Sequence, residues 1–71
     1  MRASELGKAL VVASRDNMIV EICRLLTLGA DVNFKLRWMH EGKELSTTPL
    51  IEAALKGHAD AARVLISRGA Y

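Results

Sequence analysis

Two stretches of the 71-residue sequence repeat each other at a separation of 40 positions. Gly29-Ala30 in the first stretch matches Gly69-Ala70 in the second, and residues upstream keep the same offset. The matched pairs are Leu10 with Leu50, Ala13 with Ala53, Ser14 with Ala54, Leu25 with Leu65 and Leu26 with Ile66. An internal offset of this size is typical of proteins in which each unit covers its apolar face by stacking on a neighbour. The chain is therefore predicted to contain two copies of one unit.

The first copy contains two short helical patterns. Leu6, Leu10 and Ala13 recur at helical spacing, and Ser4 is predicted to cap that helix. A second apolar stripe runs over residues 19–26. It ends at Gly29, a residue type that readily takes the left-handed conformation at a helix end.

The second copy repeats this layout with a stronger start signal. Thr48 is predicted as N-cap and Pro49 as the first helical residue, where its missing N–H costs nothing. A further stripe over residues 59–66 is closed by Gly69. Asn17 and Gly57 are predicted to form the tight turns within the two copies, because both types tolerate positive φ.

A strand-like segment separates the copies. Apolar and polar residues alternate over 32–39, and residues 43–47 provide a return strand, which predicts a β-hairpin. A four-residue loop would place Arg37 opposite Glu44 and Trp38 opposite Lys43, whereas a two-residue Glu41-Gly42 turn is the competing register. Both registers place the same apolar residues on one face: Phe34, Leu36, Trp38 and Leu45.

The second copy resembles an ankyrin repeat. Its matching segments are Thr48-Pro49-Leu50, Ala53-Ala54, Gly57-His58, Val64-Leu65-Ile66 and Gly69-Ala70. Residues 25–33 at the end of the first copy resemble the junction between two repeats of that family. The resemblance implies stacked antiparallel helix pairs with projecting hairpins, and a non-catalytic role in protein–protein interaction.

The predicted fold is thus an all-α repeat, or solenoid, of two ankyrin-type helix-turn-helix repeats joined by an elongated β-hairpin. It forms one module over 1–71, with repeat 1 at about 4–33, the hairpin at about 32–47 and repeat 2 at about 48–71. The offset exceeds the family period of about 33 residues, and the excess is expected in the hairpin. Ile51 replaces the family's His after Thr-Pro-Leu, and we expect packing there instead of a polar contact.

The two copies differ on the second helix. Glu21 and Arg24 stand where the second copy has Ala61 and Val64. Polar residues there predict that the first copy is an N-terminal cap, whereas the second copy looks internal. Its open face, predicted to contain Ala61, Val64 and Ile66, would be covered by further repeats of a longer ankyrin domain or by a second copy of the chain in a homodimer.

The hairpin and the adjoining concave helix face are predicted to bind another protein. An aromatic with Arg neighbours is typical of an interface anchor. In the alternative interpretation, Phe34 and Leu36 pack on the helices and Trp38 closes the base of the ribbon. The predicted partner-binding residues are Phe34, Lys35, Arg37, Trp38, Met39, His40 and Lys43 on the hairpin, with Arg15, Asp16, Leu55 and Lys56 at the ends of the first helices.

Other function classes have little support. Cys23, His40 and His58 lie on different elements, so no metal, cofactor or catalytic site is predicted. The basic hairpin tip leaves nucleic-acid contact as a weaker alternative, but Glu41 and Glu44 interrupt it and the net charge is only +2. No run approaches the roughly 20 apolar residues of a membrane span. A single cysteine favours an intracellular location, cytoplasmic or nuclear.

Overall fold

Two helix pairs flank a two-stranded hairpin in a computed structural model that describes residues 2–70. The ends of the predicted module, Met1 and Tyr71, lie outside the described residues. The elements are α1 (Ala3–Arg15), α2 (Ile19–Thr27), β1 (Leu36–His40), β2 (Lys43–Thr47), α3 (Pro49–Leu55) and α4 (Ala59–Ser67).

Each of α1 to α4 ends in the same hydrogen-bonded turn. In α2, the amide of Gly29 donates to Leu26 O at 3.1 Å and that of Ala30 donates to Leu25 O at 3.0 Å. These two bonds satisfy carbonyls that would otherwise lack a partner at the helix end. The residue at the corresponding turn has a positive φ in every case, as predicted: Asn17 (56°), Gly29 (101°), Gly57 (72°) and Gly69 (99°).

The helix starts agree with the sequence only in part. The predicted cap of α3 is confirmed, since the amide of Ile51 donates to Thr48 Oγ1 at 3.2 Å and Pro49 is the first helical residue. The predicted Ser4 cap of α1 is wrong. That helix begins at Ala3, with Arg2 at the N-cap and no side-chain cap bond, so Ser4 already lies in the first turn.

The 40-residue offset is also present in the three-dimensional structure. It relates α2 to α4 over their full lengths, and it relates the last residues of α1 and α3. α1 packs on α3 and α2 packs on α4, so that the second helix pair covers one side of the first. The shared core contains Leu6, Leu10, Ala13, Ile22, Leu25, Ala53, Ala61 and Leu65.

This stacking corrects the predicted open face. Ala61 is fully buried, so it does not lie on an uncovered surface, and Val64 is half-buried against the same core. Ala61 belongs to the core that α2 and α4 share. Ile66 is 57% exposed, and of the three predicted residues it alone is exposed.

The hairpin adopts the two-residue turn, so the register with a four-residue loop is wrong. β1 and β2 pair antiparallel with Leu36 opposite Thr47, Trp38 opposite Leu45 and His40 opposite Lys43. Glu41 and Gly42 both have positive φ, at 50° and 76°. This is the pattern of a type I′ turn, whose twist matches that of the strands.

The first strand is shorter than the alternation predicts. Residues 32–33 form a turn, in which the amide of Phe34 donates to Asp31 O at 3.0 Å and that of Asn33 donates to Asp31 Oδ1 at 2.9 Å. The Asn33 side chain also donates to Gly69 O at 3.3 Å. Asp31 thus holds a local turn, the Asn33 side chain joins it to the second helix pair, and β1 begins only at Leu36.

Candidate functional site

One face of the ribbon is apolar at its centre and basic at its tip. Trp38 and Leu45 lie opposite each other and are 43% and 39% exposed. His40 and Lys43, also opposite each other, occupy the same face one pair further out. The predicted cross-strand contact between Trp38 and Lys43 is replaced by an apolar pair. We call Trp38, His40, Lys43 and Leu45 the ribbon face.

The other face of the ribbon carries an ion pair. Arg37 Nε lies 3.8 Å from Glu44 Oε1, although the two residues are diagonal neighbours and not directly opposite. Both side chains are well exposed, so this contact contributes little to stability. Met39, opposite Glu44, is exposed beside it. Glu44 therefore offsets the charge of Arg37, whereas no described carboxylate pairs with Lys43 on the ribbon face.

Phe34 has a packing role that counts against its predicted contact with a partner. Its ring lies over Gly7 of α1, where an added Cβ would come within 2.2 Å of the ring carbons. The side chain is half-buried, and it holds the base of the hairpin against α1. The alternative interpretation of Phe34 as a packing residue is the one that this geometry supports.

A depression of about 450 Å³ lies beside the base of the hairpin. It is lined by Asn33, Lys35, Thr48 and Ile51. Ile51 is 46% exposed, so the expected packing around it is absent, and sequence reasoning missed it as a surface residue. Leu55 lies one turn further along the exposed side of α3 and is 73% exposed. At the 40-residue offset Ile51 corresponds to Val11, which is buried, so the repeat gave no signal for the exposure of Ile51.

The predicted helix-end residues lie at the far end of α1 and α3 from the hairpin. α3 has seven residues, and a helix of that length is about 10 Å long, which separates Leu55 and Lys56 from Thr48, where the hairpin joins α3. Arg15 Nε donates to Asp16 Oδ1 at 3.2 Å, and this hydrogen bond raises the pKa of the Arg15 guanidinium. Arg15 and Asp16 therefore pair with each other. Leu55 lies at this end of α3, one helical turn beyond Ile51, which lines the depression.

The second helix pair has an uncovered apolar face. The corresponding residues of the first pair lie 40 positions earlier, and the second pair covers them within the chain. They are Leu10, Ser14, Ile22 and Leu26. In the second pair the same positions are half-buried or exposed. We call this surface the C-terminal end face, and its residues are Leu50, Ala54, Ala62 and Ile66.

The first helix pair has a corresponding face on its other side, of mixed chemistry. A depression of about 380 Å³ there is lined by Lys8, Ala9, Val12, Ala13, Met18 and Glu21. Arg24 makes two hydrogen bonds to the Glu21 carboxylate, one of them from Nε to Oε2 at 3.1 Å. These bonds lower the pKa of Glu21 and raise that of Arg24. We call Ala9, Val12, Met18, Glu21 and Arg24 the N-terminal end face.

The described residues offer little for cofactor chemistry. Within 2–70, no three His, Cys, Asp or Glu side chains come together in a way that could hold a metal ion. Cys23 is half-buried on α2, and His58 is the N-cap residue of α4 without a side-chain cap bond. No helix in this part of the chain is both long and apolar enough to cross a membrane.

Comparison with known proteins identifies the second helix pair. The family model for the ankyrin repeat matches residues 47–71, which begin at the last residue of β2 and include α3 and α4. The resemblance of this segment to the family is thereby confirmed. No curated protein shows significant similarity to the sequence.

Proposed function

We propose, from the match of residues 47–71 to the ankyrin repeat, that this chain binds another protein through the ribbon face and the adjoining depression. Ankyrin repeats are non-catalytic modules of protein–protein interaction, and we extend that role to this chain. The observation that carries the proposal is the exposed Trp38–Leu45 pair on a two-stranded ribbon. Aromatic side chains presented in this way are frequent anchors of protein interfaces.

The charges near this surface favour a particular kind of partner. Lys35 lines the depression, Lys43 lies on the ribbon face and Lys56 follows α3, and none of the three pairs with a carboxylate of residues 2–70. An apolar surface bordered by unpaired lysines is complementary to a segment with apolar side chains next to Asp or Glu. We propose a partner segment of that composition, with Ile51 and Leu55 as further apolar contacts.

We also propose that the first helix pair is a second repeat of the same type. The identical bounds of α2 and α4 at the 40-residue offset support it, as do the matching turns at Asn17 and Gly57. In this interpretation the first repeat is an N-terminal cap, and the long hairpin is an enlarged junction between the repeats.

The C-terminal end face is a second surface with its own candidate partner. Ile66 and Ala62 leave an apolar area that a further helix pair of a longer ankyrin domain would cover. A symmetric homodimer through this face is the second candidate, since an exposed apolar face can also pair with its own copy. The single cysteine supports an intracellular location for either assembly.

A selection of displayed random peptides against the chain tests the ribbon proposal. We expect the bound peptides to combine apolar and acidic residues, and Trp38→Ala to weaken their binding at least about tenfold. Val20→Ala is the matched control, because Val20 is 84% exposed on α2, away from the hairpin. Equal losses in both variants, or no loss in Trp38→Ala at unchanged melting temperature, would contradict the proposal.

The same preparation tests the nucleic-acid alternative. His40 and Glu41 lie 3.8 Å apart and Arg37 pairs with Glu44, which leaves little net positive charge along the ribbon. Binding of a single-stranded oligonucleotide that falls steeply with salt would favour that alternative over a protein partner.

A further inference from the structure

The hairpin leaves one edge of each strand without a neighbouring strand. His40 and Lys43 flank the two-residue turn and exchange backbone hydrogen bonds, and bonded pairs then alternate along the ladder, with Trp38 in the next one. The amides and carbonyls of Arg37 and Met39, which lie between the bonded pairs, therefore point away from β2. Among residues 2–70, no backbone hydrogen bond outside the helices and the ladder reaches either residue.

The open edge of β1 is accessible to another chain. Residues 37–40 are all exposed, and only Leu36, where β1 leaves the base of the hairpin, is half-buried. Arg37 and Met39 together present two amides and two carbonyls along this edge. An extended segment that lies beside β1 can bond to all of these groups, and it would widen a ribbon that has only two strands.

β1 is amphipathic along this edge. Leu36 and Trp38 lie on one face, whereas Arg37, preceded two residues earlier by Lys35, lies on the other. Lys35 pairs with no carboxylate of residues 2–70, and β1 itself contains none. Side chains that lie across from each other determine which strands pair well. A strand beside β1 should therefore carry apolar side chains on one face and carboxylates on the other.

The open edge of β2 has the opposite charge character. By the same alternation, its outward backbone groups are those of Glu44 and Ser46. A carboxylate of an added strand would lie beside Glu44, and like charges in such positions are unfavourable. A second copy of the chain does not suit β1, because two β1 strands side by side would bring together basic residues with no carboxylate between them. The charges therefore favour β1 and a strand from a different protein.

We propose that the partner segment binds as a third strand on the open edge of β1, in an extended conformation with alternating apolar and acidic residues. Backbone hydrogen bonds to Arg37 and Met39 hold the strand in place. Trp38 contacts its apolar side chains, and its carboxylates lie beside Lys35 and Arg37. This inference rests on the proposed role of the ribbon face, and it specifies the conformation, the edge and the sequence pattern of the partner.

A pair of synthetic peptides tests the added strand directly. Both alternate valine and aspartate over about six residues, a typical strand length. One is N-methylated at every valine and the other at every aspartate. Since an added strand directs only alternate amides to its neighbour, one peptide should bind at least about tenfold more tightly than the other. The fluorescence of Trp38, the single tryptophan, measures binding. Equal binding of both peptides, or binding of neither, overturns the proposal.

Proline substitutions on the two edges provide a matched comparison. Met39→Pro removes an outward amide of β1 and Ser46→Pro removes one of β2, and edge strands tolerate proline at such positions. Met39→Pro should weaken binding of the unmethylated peptide at least about tenfold, and Ser46→Pro less than about twofold. Equal losses, or a loss confined to Ser46→Pro, contradict the assignment to β1. Slow exchange of the inward Trp38 amide shows that the hairpin is intact, and if it is lost the methylated peptides decide.

The charge pattern has its own control. An unmethylated peptide with lysine in place of every aspartate should bind at least about tenfold more weakly, and equal or tighter binding would overturn the proposal. A chain that dimerises without peptide and is dissociated by Met39→Pro would assign the edge to a second copy, which also overturns it. Displayed peptides that depend on Trp38 but bind equally with either set of amides methylated would support the ribbon proposal and refute this one.

Discussion

The ring of Phe34 lies against the backbone of α1 at Gly7, so closely that a Cβ there would approach the ring carbons to 2.2 Å. A glycine inside a helix usually costs about 1 kcal/mol relative to alanine. Gly7 nevertheless lies in the middle of the longest helix of the described chain, where it is buried. The close approach explains the residue, because only glycine leaves room for the ring that holds the hairpin base.

Gly7→Ala is therefore expected to destabilise the protein, although the same change stabilises an ordinary helix. The added methyl group must displace Phe34, and such overpacking typically costs about 1–3 kcal/mol. Urea unfolding followed by circular dichroism measures the effect. In a Gly7→Ala/Phe34→Ala background the penalty should vanish, since the ring is gone, and a penalty that persists would refute the contact as its cause.

Glu41→Asn is expected to stabilise the hairpin. Glu41 has φ of 50°, a conformation that asparagine tolerates better than glutamate, and Asn-Gly is a preferred type I′ turn. We expect a gain of about 0.5–1 kcal/mol, seen as slower amide hydrogen exchange in β1 and β2. Glu41→Lys serves as the control because it keeps the unfavourable conformation, and equal protection in both variants would argue against this explanation.

Thr48→Ala should destabilise α3 by about 1 kcal/mol through loss of a side-chain cap. The Thr48 hydroxyl accepts from the amide of Ile51, one of the amides that have no partner within the helix. Thr48→Ser retains the hydroxyl and should behave nearly like the wild type in urea unfolding. If serine is as destabilising as alanine, the methyl group of Thr48 matters and the cap does not.

The Glu21–Arg24 pair should add a pH-dependent contribution to stability. The hydrogen bond from Arg24 lowers the pKa of Glu21 below its ordinary value of 4.5 in the folded chain. The contribution is therefore present above pH 4.5 and is lost as the pH falls through the lowered pKa, because the unfolded chain then binds more protons. Urea midpoints of the wild type and Arg24→Gln should converge on acidification. A constant difference would contradict the linkage.

Local signals predicted most of the fold. Thr48-Pro49 predicted the start of α3, and Gly29 and Gly69 predicted the ends of α2 and α4, because capping depends on a few neighbouring residues. The alternation around Trp38 predicted a hairpin and the residues that share its face. The alternation left two registers open, because both place the same residues on each face of the ribbon. Only the geometry of the turn distinguishes them.

The candidate site was less predictable than the fold. Phe34 and Trp38 look alike in the alternating pattern, yet only the distance to Gly7 shows that the Phe34 ring is used for packing. Ile51 was expected to pack and is largely exposed, because no described element covers that side of α3. Burial of a side chain depends on what lies across from it, which a pattern along one segment does not contain.

The sequence by itself determined the ends of the helices and the resemblance of residues 47–71 to the ankyrin repeat, because these depend on spacing and local conformation. Only the tertiary structure decided which side of the second helix pair is covered. Ala61 and Ala62 are adjacent in the sequence and equally small, yet Ala61 is fully buried in the shared core while Ala62 is only partly buried against it. The reason is geometric: neighbouring residues on a helix point in directions about 100° apart, and the position of the neighbouring pair determines which direction is buried.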